Sequence, residues 1–122
     1  MARVLVIDDD PNIRRVIGYA LGDEGHHVDQ APDGAAGLAA IGRRHPDVIL
    51  LDMRMPGMDG WEFVRRYRAR YDHRAPIIVF TAAQDAAQRG ADVHAEGYLE
   101  KPFDLDCLLE RVAALTGDVD AD

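Results

Sequence analysis

Three acidic side chains directly follow short apolar runs, and they carry the most specific chemistry in this sequence. Asp8 and Asp9 follow residues 4–7, and Asp52 follows residues 48–51. Uninterrupted apolar runs of this length are typical of strands that are buried on both faces of a parallel sheet. Because open α/β sheets bind ligands at the carboxyl ends of their strands, we expect these carboxylates to meet at one edge.

The predicted cluster of acids needs a positive partner, since neighbouring carboxylates repel each other and raise each other's pKa. Carboxylate oxygens suit Mg²⁺, which prefers one or two carboxylates together with a substrate phosphate. Thr81 and Lys101 come near the ends of two further apolar segments and extend the predicted site. Three carboxylates, one Mg²⁺ and Lys101 carry no net charge, so a phosphoryl group could enter without repulsion.

Helical segments alternate with the apolar runs along the chain. Apolar patterning and turn residues predict strands at residues 4–7, 27–31, 48–51, 77–81 and 97–99, and helices at about 11–24, 34–44, 60–71, part of 82–93, and 105–116. Asp10, Asp33, Asp59 and Asp104 stand at helix N-cap positions, and Glu62 completes an Asp-x-x-Glu capping box with Asp59. Five alternating pairs predict one α/β domain with a doubly wound parallel sheet.

Composition limits the class of protein and its partners. Fourteen basic against 22 acidic residues give a net charge of −8, which argues against direct nucleic-acid binding. The single Cys107 cannot form an internal disulfide, and no apolar run approaches the ~20 residues of a membrane span. We therefore expect a cytoplasmic protein without membrane contact. The five histidines show no metal-ligand spacing and are interpreted as surface residues.

Four short motifs extend from the candidate site residues into their neighbours. They are Val6-Ile7-Asp8-Asp9, the run from Leu51 to Gly60 (Leu-Asp-Met-Arg-Met-Pro-Gly-Met-Asp-Gly), Phe80-Thr81-Ala82, and Gly97-Tyr98-Leu99-Glu100-Lys101-Pro102-Phe103. In this order and spacing they resemble the receiver domain of two-component response regulators, over about residues 3–115. The resemblance implies a flavodoxin-like (βα)5 fold with strand order 2-1-3-4-5. It also implies a receiver domain at residues 1–117, followed by a short acidic tail at 118–122.

The resemblance assigns roles to the acids at the sheet edge. Asp52 is the implied phosphoacceptor. Asp9, Asp52 and the main-chain carbonyl of Arg54 are the implied direct Mg²⁺ ligands. Asp8 is implied to act on the metal through a bound water molecule.

Further roles implied by the resemblance fall on the last two motifs. Thr81, Lys101 and the backbone of Ala82 would bind the phosphoryl oxygens. Thr81 would move toward the phosphoryl group, and Tyr98 would turn inward into the space that Thr81 leaves. The Lys101-Pro102 peptide is a candidate cis bond, because proline is the residue for which the cis form is cheap.

The function implied by the family is a signalling switch that catalyses only its own phosphorylation and dephosphorylation. A sensor histidine kinase or a histidine phosphotransfer protein would supply the phosphoryl group from a phosphohistidine. The surface of the fourth helix, fifth strand and fifth helix would then bind a downstream protein, with the chain a monomer or a weak phosphorylation-dependent dimer. Arg14, Arg15 and Ile17 are candidates for a kinase-docking face, although an exposed helix face needs no such role.

Other readings remain open from the sequence. The chain is either a stand-alone receiver or a fragment of a longer DNA-binding transcriptional regulator, whose receivers end in a similar helix. Asp8-Asp9-Asp10 also contains the Asp-x-Asp of haloacid-dehalogenase-type phosphatases, with Asp8 as nucleophile, but no late acidic pair follows. A flavin carrier would need a hydroxyl-rich phosphate loop, and a degenerate receiver would lack part of the site.

The segment between Thr81 and Lys101 is shorter than the family pattern, and His94 stands where glycine is common.

Overall fold

Strands and helices alternate from β1 to α5 in the computed structural model, which describes residues 2–81 and 86–117. The elements are β1 (Arg3–Ile7), α1 (Pro11–Asp23), β2 (His27–Ala31), α2 (Gly34–Arg43), β3 (Val48–Asp52), α3 (Gly60–Arg70), β4 (Ile77–Thr81), α4 (Ala86–Asp92), β5 (Gly97–Glu100) and α5 (Leu105–Thr116). All paired strands are parallel, and their order is β2-β1-β3-β4-β5. This order confirms the predicted doubly wound, flavodoxin-like sheet.

The two faces of the sheet are both covered by helices. Successive residues of a strand point to opposite faces, so Val4 and Leu50 pack against α1 and α5, whereas Leu5 and Leu51 pack against α2 and α3. Every residue of β3 and β4 is buried. This double burial explains why these strands are uninterrupted apolar runs, without the alternation of a sheet that has one wet face.

Side chains that cap the helices fix where four of them begin. The predicted caps Asp10, Asp33, Asp59 and Asp104 each accept a hydrogen bond from a backbone N–H in the first turn. The capping box is only half formed, because the carboxylate of Glu62 bonds to Arg65 and Arg66 and does not reach back to the N-cap. Two guanidinium groups on the same face of the helix compete for that carboxylate, and this competition was not read from the sequence.

Helix α4 is short, as predicted for the ambiguous segment after β4. It ends before His94, whose φ of 54° lies in the left-handed region that favours glycine. Arg68 of α3 donates to the carbonyls of Val93 and His94. These bonds satisfy carbonyls at the end of the helix and hold the chain in a conformation that histidine rarely adopts. Among the helices of the described ranges, none combines the length and apolar character needed to cross a bilayer.

Candidate functional site

The carboxyl edge of the sheet assembles the acids predicted to lie together. Asp8 and Asp9 follow β1, and Asp52 ends β3. Each of the three offers a carboxylate oxygen, and these oxygens lie within 4.8 Å of one another. Lys101, which follows β5, places its Nζ 2.7 Å from Asp8 Oδ2 and 3.4 Å from Asp52 Oδ2. Side chains from three strand ends therefore meet in one pocket, as the sheet topology requires.

Asp8 is held by hydrogen bonds to both its carboxylate and its backbone. Its side chain is fully buried, and Oδ1 accepts from the Asp10 N–H at 2.8 Å while Oδ2 accepts from Lys101. Its backbone carbonyl accepts from Arg14 Nη1 at 2.6 Å. Both carboxylate oxygens of Asp8 therefore accept short hydrogen bonds, and these bonds hold the carboxylate in place.

Asp52 accepts longer hydrogen bonds than Asp8, and its Oδ2 lies 3.4 Å from Lys101 Nζ. It is 4 % exposed, and Oδ1 accepts from the Arg54 N–H at 3.1 Å. Burial raises the pKa of Asp52 to about 6, and the charge of Asp8 adds to this effect, although the Arg54 N–H and Lys101 act in the opposite direction. One ammonium thus leaves the three carboxylates with an excess of negative charge, and the cluster suits a divalent cation.

Thr81 and Lys101 complete the polar edge. Thr81 is fully buried, and its Oγ1 has no hydrogen-bond partner within the described ranges. The Lys101 N–H donates to the Thr81 carbonyl at 2.8 Å, and the Lys101-Pro102 peptide is cis, as the family resemblance implied. A buried hydroxyl without a partner is costly, and Thr81 Oγ1 leaves its hydrogen-bonding capacity unused in this arrangement.

The loop after β3 is shaped by a close backbone approach. The Gly60 N–H donates to the Met53 carbonyl at 3.0 Å, and a Cβ at Gly60 would lie 2.7 Å from Met53 Cα. Only glycine therefore fits at the first position of α3. The sequence signal for this constraint was the glycine directly after the Asp59 cap, whose packing role was not recognised.

Other predicted residues lie at the margin of the site or away from it. Arg54 is exposed, with its N–H on Asp52. Tyr98 is 46 % exposed; the Arg111 guanidinium lies 5.9 Å from the centroid of its ring and donates to its carbonyl at 2.9 Å. Ala82 lies outside the described residues. Ile17 is 1 % exposed, so its proposed part in a docking face is wrong: its side chain packs in the core.

Two histidines differ from the surface interpretation. His45 is half-buried, and its Nε2 lies 3.1 Å from the Tyr67 hydroxyl. His26 is also half-buried, and its Nδ1 accepts from the Ala2 N–H at 3.1 Å. Both bonds join residues more than 20 positions apart, which is why single-sequence reasoning did not find them.

Comparisons with known proteins agree with this geometry. A model of the response regulator receiver domain family matches residues 4–113. The chain is 41% identical over 115 residues to the response regulator MprA of Mycobacterium sp. strain KMS, covering 93% of this chain and 50% of that protein. The chain therefore spans about half the length of the curated relatives it matches.

Solved structures give the same result. Chemotaxis protein CheY4 of Vibrio cholerae is 37% identical, with a TM-score of 0.82 over 94% of this chain and 98% of that one. Response regulator TrrA of Thermotoga maritima, solved in complex with Mg(2+)-BeF, is 35% identical, with a TM-score of 0.83 over 94% of this chain and 99% of that one. Both cover nearly the whole of each chain, so the likeness extends over the complete domain.

Proposed function

The chain belongs to the response regulator receiver domain family, and from this premise we propose that Asp52 is its phosphoacceptor. The single observation that carries this assignment is the position of Asp52. It is a buried carboxylate at the end of the central strand, next to Asp8 and Lys101, with a raised pKa of about 6. The phosphatase reading makes Asp8 the nucleophile. It is not favoured, because Asp8 is fully buried and its carboxylate accepts shorter hydrogen bonds, at 2.7 and 2.8 Å, than that of Asp52, at 3.1 and 3.4 Å.

Receiver domains bind Mg²⁺ at an acidic cluster, and the donor set of this chain fits that ion. Asp9, Asp52 and the Arg54 carbonyl would hold it directly, and Asp8 would act through a water molecule. The fit rests on three carboxylate oxygens within 4.8 Å of one another, of which the Lys101 ammonium bonds to those of Asp8 and Asp52. When bound, Mg²⁺ would neutralise the carboxylates and the charge on the phosphoryl oxygens.

The chemistry is a phosphoryl transfer in which the chain supplies the nucleophile. An Asp52 oxygen forms a bond to phosphorus while the bond from phosphorus to the donor's histidine nitrogen breaks, with the electron pair leaving on that nitrogen. The product is an aspartyl phosphate. Lys101 Nζ and Thr81 Oγ1 would bind the phosphoryl oxygens, and the backbone of Ala82 would add a donor. Asp52 reacts as the carboxylate and must therefore lose its proton before transfer. Because its pKa is raised to about 6, it keeps that proton to a higher pH than an ordinary carboxyl.

The switch and the partners follow from the same proposal. Thr81 would move toward the phosphoryl group and Tyr98 would turn inward from its exposed position, remodelling the surface of α4, β5 and α5. Receiver domains pair with histidine kinases and downstream effectors. For this chain we propose a histidine kinase or phosphotransfer protein as donor, a protein as output partner, and a monomer or weak phosphorylation-dependent dimer.

The domain extent is part of the proposal. Residues 1–117 would form the receiver and residues 118–122 a short acidic segment. A stand-alone receiver and the receiver of a longer DNA-binding regulator both remain compatible with this site. The second candidate agrees with the length of curated relatives such as MprA, which are about twice as long as the matched region.

Phosphorylation with a small phosphodonor tests the assignment. The purified chain is incubated with acetyl phosphate and Mg²⁺, and the mass of the intact protein is measured. We expect one phosphoryl group on the wild type and none on Asp52→Asn. Asp10→Asn is the matched control, because it changes an acid that caps α1 into an equally good cap. Phosphate uptake by Asp52→Asn would overturn the assignment, and turnover of a phosphomonoester that only Asp8→Asn abolishes would support the phosphatase reading.

A further inference from the structure

Asp9 is the proposed metal ligand with the least support from its own side chain. It is exposed, and its carboxylate makes no hydrogen bond to any residue in the described ranges. Asp8 and Asp52, by comparison, are both held by hydrogen bonds. The point from which the Asp9 side chain projects is therefore set by the backbone that carries it.

The peptide between Asp8 and Asp9 is held by an arginine of α1. Arg14 Nη1 donates to the Asp8 carbonyl at 2.6 Å. The carbonyl oxygen and the Cα of the next residue lie in the same planar peptide unit, so the bond that fixes this oxygen also fixes the Cα of Asp9. Arg14 is half-buried and is rooted in the first turn of α1 by the bond from its N–H to the Asp10 carbonyl at 3.1 Å.

We propose that Arg14 is a positioning residue for the metal site, which holds the Asp9 carboxylate in place through the Asp8 carbonyl. The inference rests on the proposed Mg²⁺ site and adds a residue to it. Helix α1 is anchored in the core by Ile17 and Leu21, so Arg14 ties the end of β1 to a helix that is packed against the sheet. Its hydrogen bond is to the main-chain carbonyl of Asp8, and it makes none to the carboxylates of Asp8, Asp9 or Asp52.

Because Arg14 is charged, the direction of the change in Mg²⁺ affinity tests the inference. A cation near a magnesium site weakens Mg²⁺ binding by repulsion. Removing only that charge would therefore strengthen binding, whereas losing the bond to the Asp8 carbonyl would weaken it. Arg15 is the matched control. It lies next along the same helix, carries the same charge, and bonds to Asn12 on the exposed surface.

The experiment is a calorimetric titration of the whole chain with Mg²⁺ alone. We expect Arg14→Gln to weaken Mg²⁺ binding about tenfold, as is usual when the support of a metal ligand is lost. Arg15→Gln should change the affinity by less than about twofold, toward tighter binding, because an exposed charge is screened by salt. Arg14→Lys, which keeps the charge and one donor, should fall between wild type and Arg14→Gln.

Two further results separate the possible failures. An Arg14→Gln variant that binds Mg²⁺ as tightly as Arg15→Gln would overturn the positioning role, as would an Arg14→Lys variant that binds more tightly than wild type. The carbonyl ¹³C resonance of Asp8, measured without Mg²⁺, should shift in both Arg14 variants and stay unchanged in Arg15→Gln. A wild-type chain that is folded but binds no Mg²⁺ would instead contradict the proposed function itself.

Discussion

Two buried polar networks lie at opposite edges of the sheet, and they are satisfied to different degrees. At the amino edge, the Tyr67 hydroxyl accepts from the Ala75 N–H at 2.7 Å and lies 3.1 Å from His45 Nε2. At the carboxyl edge, Asp52 is buried with a raised pKa, and Thr81 Oγ1 has no partner among the described residues.

The difference separates a structural network from a functional one. Burial raises the pKa of Tyr67, so the phenol stays neutral. Its hydroxyl forms hydrogen bonds with both Ala75 and His45. The carboxyl edge, by contrast, keeps excess negative charge and a hydroxyl without a partner among the described residues. These unsatisfied groups lower the stability of the domain when no ligand is bound.

The largest expected effect is at Asp52. In the wild type without Mg²⁺, the folded state holds the Asp52 proton up to pH about 6, whereas an unperturbed carboxyl has a pKa of 3.8. Between these values the folded state binds more protons, so the stability contribution is present at lower pH and is lost as the pH rises through about 6. Asp52→Asn removes this loss and should raise the free energy of unfolding at pH 7.5 by about 3 kcal/mol.

Urea unfolding at several pH values checks this prediction. The advantage of Asp52→Asn should shrink toward pH 4, and Asp59→Asn, which replaces one helix cap with another, should show no such pH dependence. Saturating Mg²⁺ should stabilise the wild type more than Asp52→Asn, because the ion binds the folded state. A constant difference between the two proteins across this pH range would mean that burial of Asp52 carries no cost.

A smaller effect of opposite sign is expected at the amino edge. Tyr67→Phe leaves the Ala75 N–H and His45 Nε2 without their partner, so it should lower the free energy of unfolding by about 1–3 kcal/mol. Tyr71→Phe is the control, since the Tyr71 ring packs against Tyr67 at a tilt and its hydroxyl makes no hydrogen bond among the residues described. Equal stability of the two variants in urea would remove the contrast between the two edges.

The smallest expected effect is at Thr81. Thr81→Val keeps the shape and removes the buried hydroxyl that lacks a partner, so it should raise the free energy of unfolding by about 1 kcal/mol. Thr116→Val is the control, because its Oγ1 donates to the Val112 carbonyl at 2.9 Å and the change should give no gain. If Thr81→Val is less stable than wild type in thermal unfolding, the hydroxyl is satisfied in solution and the site is less open than proposed.

Much of the fold could be predicted because its signals are local. The apolar runs of β3 and β4 specify strands buried on both faces, and Asp10 and Asp104 specify helix starts through bonds to backbone groups two residues away. Because the carboxyl ends of parallel strands meet at one edge of a sheet, these local predictions also predicted a contact between residues far apart in the sequence. Lys101 meets Asp8, 93 positions earlier, because both follow parallel strands.

Local sequence signals were enough to specify the strands, most helix ends and the residue types at the carboxyl edge. Packing of the elements then set which groups share a partner: Glu62 bonds to two arginines instead of its cap, Arg14 bonds to the Asp8 carbonyl, and His45 bonds to Tyr67. The two kinds of interaction differ in range. Backbone preferences act over a few residues, whereas a side-chain hydrogen bond depends on distances that exist only after the elements have packed.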